Sequence, residues 1–323
     1  MDKIVRKEAD LHIHSHYSDG DCSIRELVWR IKKSGLKVAV LTDHDCNEGT
    51  EEFLRLCEAE GIDSLSGIEI TTTDDLLKQE AHILGYGFDV KDLRGNFYKL
   101  FNHNRSIRRE LVSNVLNLYA EEGKFKVYPI YPNDLESMFH LPTNANVSSM
   151  YWVNKARALQ IKKWERLSFA DAYEKAKKET RKGGKFYYPN NNEKAYTLTS
   201  EAIEAITQTG GIAVWAHPAE SINRLKRFGN EKIARRLFED TLRSFVDGGL
   251  EGLEVFSAFD STKEEVEFLL ECGSKHNLLI FGGSDYHGDK PEEHKPNRWL
   301  GKNGVSYEDF NHIKRIIDLR NRI

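Results

Sequence analysis

The stretch Val38-Ala39-Val40-Leu41-Thr42-Asp43-His44-Asp45 decides how the chain is to be read. Four consecutive β-prone apolar residues suit a strand buried on both faces, the condition of strands in a parallel sheet. They run straight into an imidazole flanked by carboxylates. In barrels of parallel strands, chemically active side chains gather at the C-terminal strand ends. The same arrangement recurs along the chain. Ile212-Ala213-Val214-Trp215 precedes Ala216-His217-Pro218, and Leu278-Leu279-Ile280-Phe281 precedes Ser284-Asp285-Tyr286-His287-Gly288. A lone His-x-His or Ala-His-Pro arises readily by chance. Their shared placement after apolar runs does not.

Further acidic-histidine motifs are Asp10-Leu11-His12-Ile13-His14, Ser18-Asp19-Gly20, Gly67-Ile68-Glu69 and Glu80-Ala81-His82. Imidazole with carboxylate and without cysteine is a donor set for Zn²⁺, Mn²⁺ or Fe. More donors are present than one ion can use, which points to a multinuclear hydrolytic centre. Alternate strand residues share a face, so His12 and His14 point one way and Ile13 the other. Ser23-Ile24-Arg25-Glu26 reads as a capping box opening a helix whose buried side is Leu27, Val28 and Ile31, closed by Gly35. Strand, ligand loop, helix, strand, ligand loop is the grammar of an α/β barrel.

These motifs, taken in order, resemble the polymerase and histidinol phosphatase (PHP) phosphoesterases. The resemblance rests on Asp10–Ser15 with Ser18–Gly20, Leu41–Asp45, Gly67–Ile70, His82–Tyr86, Ala216–Pro218 and Gly283–Gly288. It implies a distorted (β/α)₇ TIM-like barrel holding two or three divalent metal ions. By the same resemblance, His12, His14, Glu69 and Asp285 are ligands of one metal. Glu69 bridges to a second, held also by His82 and His217, while Asp19, His44 and His287 hold the third. Glu69, Asp285 and His217 are the positions expected to weigh most on catalysis. Asp10, Asp43 and Asp45 are expected to orient the ligating imidazoles from behind. His16, His103, His140, His276, His294 and His312 fall outside the series.

The barrel grammar lapses between about Leu93 and Tyr196, giving an expected division into residues 1–92 and 197–323 for the barrel and 93–196 for an inserted helical cap. Ser106 to Glu122 has apolar residues at helical spacing with Gly123 as its stop, and Ser168 reads as the N-cap of another helix. Ala202 to Thr209, followed by Gly210-Gly211, returns the chain to the barrel. An insertion between His82 and His217 is expected to stand over the mouth. Between Tyr151 and Lys185 eleven basic residues face four acidic ones, a local +7 in a chain of net charge −4. Lys162, Lys163 and Arg166, with Arg105 and Arg108, are the expected substrate contacts, since Arg matches phosphate with a bidentate fork. Trp152, Trp164, Tyr187 and Tyr188 are available to stack on bases.

A cap at this place resembles a PHP subgroup that removes the 3′-phosphate of nucleoside 3′,5′-bisphosphates and, in some members, trims short RNAs from the 5′ end. The chain departs from that subgroup in two places. His140-Leu141-Pro142 stands where relatives carry Gly-Arg-Pro-His, and Ala219-Glu220 where they often continue Gly-Arg after Ala-His-Pro.

The 323 residues suffice for a large core, and the modest net charge gives no global basic field for long nucleic acid. Cys22, Cys46, Cys57 and Cys272 show no paired spacing, as in a reducing, cytoplasmic setting. No apolar h-region or long apolar run indicates secretion or a membrane. No obligate protein partner is evident. The resulting expectation is a phosphoric ester hydrolase using metal-activated water on a nucleotide or short oligonucleotide. A phosphatase of small metabolites such as histidinol phosphate or a sugar phosphate is the second reading, and a non-catalytic, metal-stapled interaction module the third.

Overall fold

Each apolar run singled out above is a strand. The computed structural model describes residues 7–77, 79–90, 96–121, 132–142, 145, 150–188, 196–227, 229–257, 262–288 and 299–320. In chain order the first elements are β1 (Ala9–Ile13), α1 (Ile24–Ser34), β2 (Val38–Leu41), α2 (Thr50–Ala59), β3 (Gly67–Asp74) and β4 (Gln79–Tyr86). Four helices follow: α3 (Asn96–Glu121), α4 (Pro132–Phe139), α5 (Met150–Glu165) and α6 (Phe169–Thr180). Then come α7 (Thr199–Gln208), β5 (Ile212–Trp215), α8 (Pro218–Lys226), α9 (Glu231–Asp247), β6 (Gly252–Phe256), α10 (Lys263–Lys275), β7 (Leu279–Gly282) and α11 (Tyr307–Arg320).

The described strands form a parallel pair, β1-β2, and a five-stranded sheet in the order β3-β4-β5-β6-β7. Single parallel bridges join the two, His44 with Glu69 on one side and Ile13 with Tyr286 on the other. Side-chain alternation divides the interior. Ile83, Ala213 and Trp215 face outward and pack under α7, α8, α9 and α10 with Ile206, Ile222, Phe238 and Leu269. Leu84, Val214 and Phe281 face inward with Leu11 and Val40, and Phe310, Ile313 and Ile317 of α11 close that core. Ser23 caps α1 by accepting from the Glu26 backbone N–H, and Gly35 ends it in the left-handed region. The Glu26 carboxylate, expected to complete a capping box, instead accepts from Arg30 at 2.8 Å.

The uninterrupted parallel grammar is corrected at β4. It runs antiparallel to both β3 and β5, with Tyr86 opposite Gly67 and Ile212, the first residues of those strands. His82 therefore lies within β4 rather than at its end. It sits opposite Thr71 and level with Ala216, and so still meets the other ligand motifs.

That reversal also sets where the segment between β4 and α7 departs. The chain leaves β4 at the end of the sheet remote from the ligand motifs. It returns along α3, whose 26 residues rise about 39 Å. Phe97 and Phe101 at its start pack into the outer sheet core with Phe88. Val112, Val115, Leu116 and Tyr119 near its end belong to a separate core with Trp152, Tyr173 and Phe186. The helix thus begins ten residues before Ser106, because its first turns pack on the sheet and carry no separate signal. Gly123 and His294 lie outside the described residues. The Ser168 cap is observed, accepting from the Asp171 N–H.

Candidate metal centre

Glu69 is fully buried and touches five imidazoles. Its Oε2 lies 3.0 Å from His12 Nε2, 3.2 Å from His14 Nε2 and 3.2 Å from His44 Nδ1. Its Oε1 lies 2.7 Å from His82 Nδ1 and 3.1 Å from His217 Nε2. Asp285 Oδ1 approaches His14 Nε2 at 3.2 Å and His12 Nε2 at 3.6 Å. Asp19 Oδ1 is 3.1 Å from His287 Nε2 and 3.9 Å from both His14 and His44. All nine residues expected as ligands therefore converge.

Eight of the nine offer donor atoms that form three overlapping groups, each within 4.8 Å: His12, His14, Glu69 and Asp285; His14, Asp19, His44 and His287; and His44, Glu69 and His82. His14 thus faces two groups, and His44 stands between the second and third. His217 reaches the centre through Glu69.

Backbone geometry aims these donors. His217 and Asp285 follow β5 and β7 in the left-handed region, at φ 32° and 51°, and Asp45 after β2 is at 47°. Such conformations are costly for residues other than glycine and persist where surrounding contacts enforce them. A methyl group at Gly283 would sit 2.2 Å from His12 Cβ. Gly283→Ala is accordingly expected to cost about 1–3 kcal/mol by overpacking and to weaken metal binding. Urea denaturation with parallel metal analysis checks both, and an unperturbed variant would show that β7 and β1 can separate freely here.

The donor set suits hard or borderline divalent cations. His14 Nδ1 is buried without a hydrogen-bond partner, an arrangement that a coordinating cation would relieve. Burial opposes charge on His14 and His82, yet adjacent carboxylates outweigh it. Asp285 and Glu69 lift His14 to about 9, and Glu69 with Glu80 lifts His82 to about 10. At His44 burial prevails and holds the imidazole well below its usual value. Burial also opposes ionisation of Glu69 and Asp19, but neighbouring imidazoles keep both far below the usual carboxylate range. A cation entering this cluster replaces protons that the imidazoles otherwise carry.

The role expected of Asp10, Asp43 and Asp45 is corrected. Asp10 accepts from Ser284 N–H and Oγ and from Gly301 N–H, and Asp43 from Ser15 and Ser18. Asp45 accepts from Thr71 N–H and Asn104. These carboxylates fix the ligand-bearing loops and touch no ligating ring. Three glutamates touch the rings instead. Glu254 on β6 meets His12 Nδ1 at 2.9 Å and accepts from the His217 N–H at 2.7 Å. Glu80 meets His82 Nε2 at 2.9 Å, and Glu220 lies 3.4 Å from His217 Nδ1. Glu254 passes unmarked in the sequence reading. Its one signal is a carboxylate buried within the apolar run Gly252-Leu253-Glu254-Val255-Phe256.

The expected substrate contacts separate into two sets. Arg108 bonds Thr71 Oγ1, stands 3.5 Å from Asp45 Oδ2 and lies over the Tyr196 ring, within the field of Glu80 and Asp19. Arg105 is tied to Glu48 and the Asp45 carbonyl. Lys162, Lys163 and Arg166 are exposed at the far end of α5. The near end of that helix meets the Ser18–Asp21 loop, which lies roughly 15 Å away along the helix axis. Trp152 is buried and donates its indole N–H to the Ser18 carbonyl at 2.8 Å, so it offers no stacking face. Trp164 is 59 % exposed. Arg224, which the sequence did not mark, reaches the Glu80 carbonyl and the Glu220 carboxylate beside His82 and His217.

Six imidazoles and three carboxylates, largely buried, thus gather where strands and loops meet, and their donor groups could hold metal ions. A profile of the PHP domain matches residues 10–258. The chain belongs to the PHP-domain family of phosphoesterases. It is 25 % identical over 284 residues to a phosphoribosyl 1,2-cyclic phosphate 1,2-diphosphodiesterase of Eggerthella lenta, covering 86 % of this chain and 94 % of that one. It is also 25 % identical to a 3′,5′-nucleoside bisphosphate phosphatase of Chromobacterium violaceum, with 86 % of each chain covered. Identity to a 5′-3′ exoribonuclease of Haemophilus influenzae is 26 %, covering 88 % and 91 %. Among solved structures, a candidate metal-dependent phosphoesterase from Bifidobacterium adolescentis superposes with a TM-score of 0.72 at 25 % identity, over 95 % and 96 % of the two chains. Among the described residues no helix is long and apolar enough to cross a membrane.

Proposed function

We propose that the seven strands make a distorted (β/α)₇ barrel, that residues 93–196 form a cap over its mouth, and that the enclosed centre hydrolyses phosphate esters of nucleotides or short oligonucleotides. The observation that carries this reading is the contact of one buried carboxylate, Glu69, with five imidazoles. Two or three divalent ions, Mn, Zn or Fe, are its cofactors. They would be held by His12, His14, Glu69 and Asp285, by Glu69, His82 and His217, and by Asp19, His44 and His287, with His14 and His44 facing neighbouring positions. When bound, such ions polarise the phosphoryl group, activate water and stabilise the leaving oxygen.

The protein's own contribution is positioning and electrostatics, which suffices for phosphoryl transfer. Glu254 and Glu80 fix the tautomer and direction of His12 and His82. Arg108, from α3, presents a guanidinium at the mouth for a second phosphate or the ester backbone. Cysteine does not compete with water as the nucleophile. Burial pushes Cys22 up to about 11, Cys57 to about 12, Cys272 to about 11 and Cys46 well above the usual thiol range, so none is a thiolate at neutral pH. The relatives named for nucleoside bisphosphates and RNA support a nucleotide substrate.

Side-by-side assays of adenosine 3′,5′-bisphosphate, a short 5′-phosphorylated RNA and histidinol phosphate test this reading. Turnover is expected on the nucleotide substrates, lost on chelation and restored by Mn²⁺. Preference for histidinol phosphate would transfer the assignment to small metabolites, and activity indifferent to chelator would sink the metal reading altogether.

A further inference from the structure

Asp19 is the one carboxylate among the four donors that include His14, His44 and His287. It is carried by a loop, and contacts on either side of it come from α5. Trp152 Nε1 donates to the carbonyl of Ser18, the preceding residue, at 2.8 Å. Tyr151 Oη and Lys155 Nζ both donate to Asp21 Oδ1, two residues later. Lys155 is itself held over the Trp152 and Tyr151 rings, 4.9 and 5.2 Å from their centroids. The Asp21 N–H in turn donates to the carbonyl of His287, another member of the same donor group, at 2.9 Å. Trp152 and Tyr151 belong to the core that α3, α5 and α6 share, so one packed unit grips the loop that carries Asp19.

We infer that Tyr151, Trp152 and Lys155 are positioning residues: they latch the cap to the Asp19 loop and so couple docking of the cap to occupancy of the cation position formed by His14, Asp19, His44 and His287. The inference rests on the metal reading given above. The coupling is reciprocal, since whatever steadies Asp19 for a cation is steadied by that cation in return. It gives the cap a task apart from substrate contact. The exposed lysines at the far end of α5 take no part in it.

Titration of the metal-free 323-residue chain with Mn²⁺ alone, read by calorimetry and elemental analysis, tests the latch. In Lys155→Met/Tyr151→Phe one equivalent is expected to weaken by about 10–100-fold, the range for outer-shell partners, while the remaining equivalents keep the parent affinity. Trp152→Phe, which keeps an aromatic ring and loses the N–H donor, should weaken the same equivalent, and Lys155→Arg should retain it. Hydrogen exchange of α5 amides should slow in the parent as that last equivalent binds, and not in the double variant. Unchanged titration in folded variants overturns the latch, as does equal weakening of every equivalent. A parent chain that binds no more than one equivalent overturns the multinuclear reading, and the latch with it.

Discussion

Glu69→Gln is expected to lower kcat/KM by about 10³-fold or more, on the scale of losing the principal electrostatic element of a hydrolytic site. Bound metal should fall in parallel. The reason lies in how the two carboxylate oxygens divide the imidazoles, three at Oε2 and two at Oε1. An amide of the same shape offers one oxygen and one NH₂. Whichever way it turns, the NH₂ faces ring nitrogens whose lone pairs a cation needs, and the shared negative charge is gone. His16→Ala is the matched control. His16 belongs to none of the donor groups and its ring lies edge-on to Tyr17 at 5.3 Å. Its loss should leave turnover and metal content near the parent values. The reverse result for this pair, by steady-state kinetics and elemental analysis, would place the ligands of the first motif in a different register.

Glu254→Gln is expected to reduce metal affinity by about 10–100-fold, the usual penalty for losing a carboxylate behind a ligating histidine. One oxygen of Glu254 meets His12 Nδ1 and the other receives the His217 N–H. A single side chain therefore directs two donors from different strands. Glutamine can keep one of these contacts with its oxygen but supplies no negative charge to His12. Competition against a chelator measures the loss. Parent-like affinity would show that the packing of β1 and β5 directs His12 and His217 without help.

The strand-end donors His44, His217, Asp285 and His287 were legible because an apolar run followed by His and Asp is a local pattern, whereas His12, Asp19, Glu69 and His82 were reached through the resemblance of their motifs. Glu254 was not, because it interrupts its apolar run from within and carries no neighbouring histidine. Its partners are supplied by β1 and the turn after β5, which only the fold brings near. Asp10, Asp43 and Asp45 misled for the complementary reason. They adjoin ligands in sequence but reach across to the backbone and hydroxyls of other loops. The reversal of β4 was equally hidden, since Ala81-His82-Ile83-Leu84 reads the same whether its partners run with it or against it. Lys162, Lys163 and Arg166 showed charge without direction. Position along α5 separates them from Lys155, which meets the Asp19 loop.

The single unbroken span of α3 bears on how far this enzyme can be taken apart. Its foot lies among side chains of the sheet and its head in the second core, and between them Asn104 donates to Asp45 and to the Thr71 carbonyl while accepting from the Thr197 N–H. Excising the segment between β4 and α7 would therefore take away a keystone of the sheet wall that remains. Transplanting it would carry part of one scaffold into another. Swaps between relatives that aim to exchange substrate preference have natural seams beyond Arg108, in the second half of the helix, where Val112, Val115, Leu116 and Tyr119 join the second core. Cut there, the upper storey becomes exchangeable while the wall beneath it stays whole.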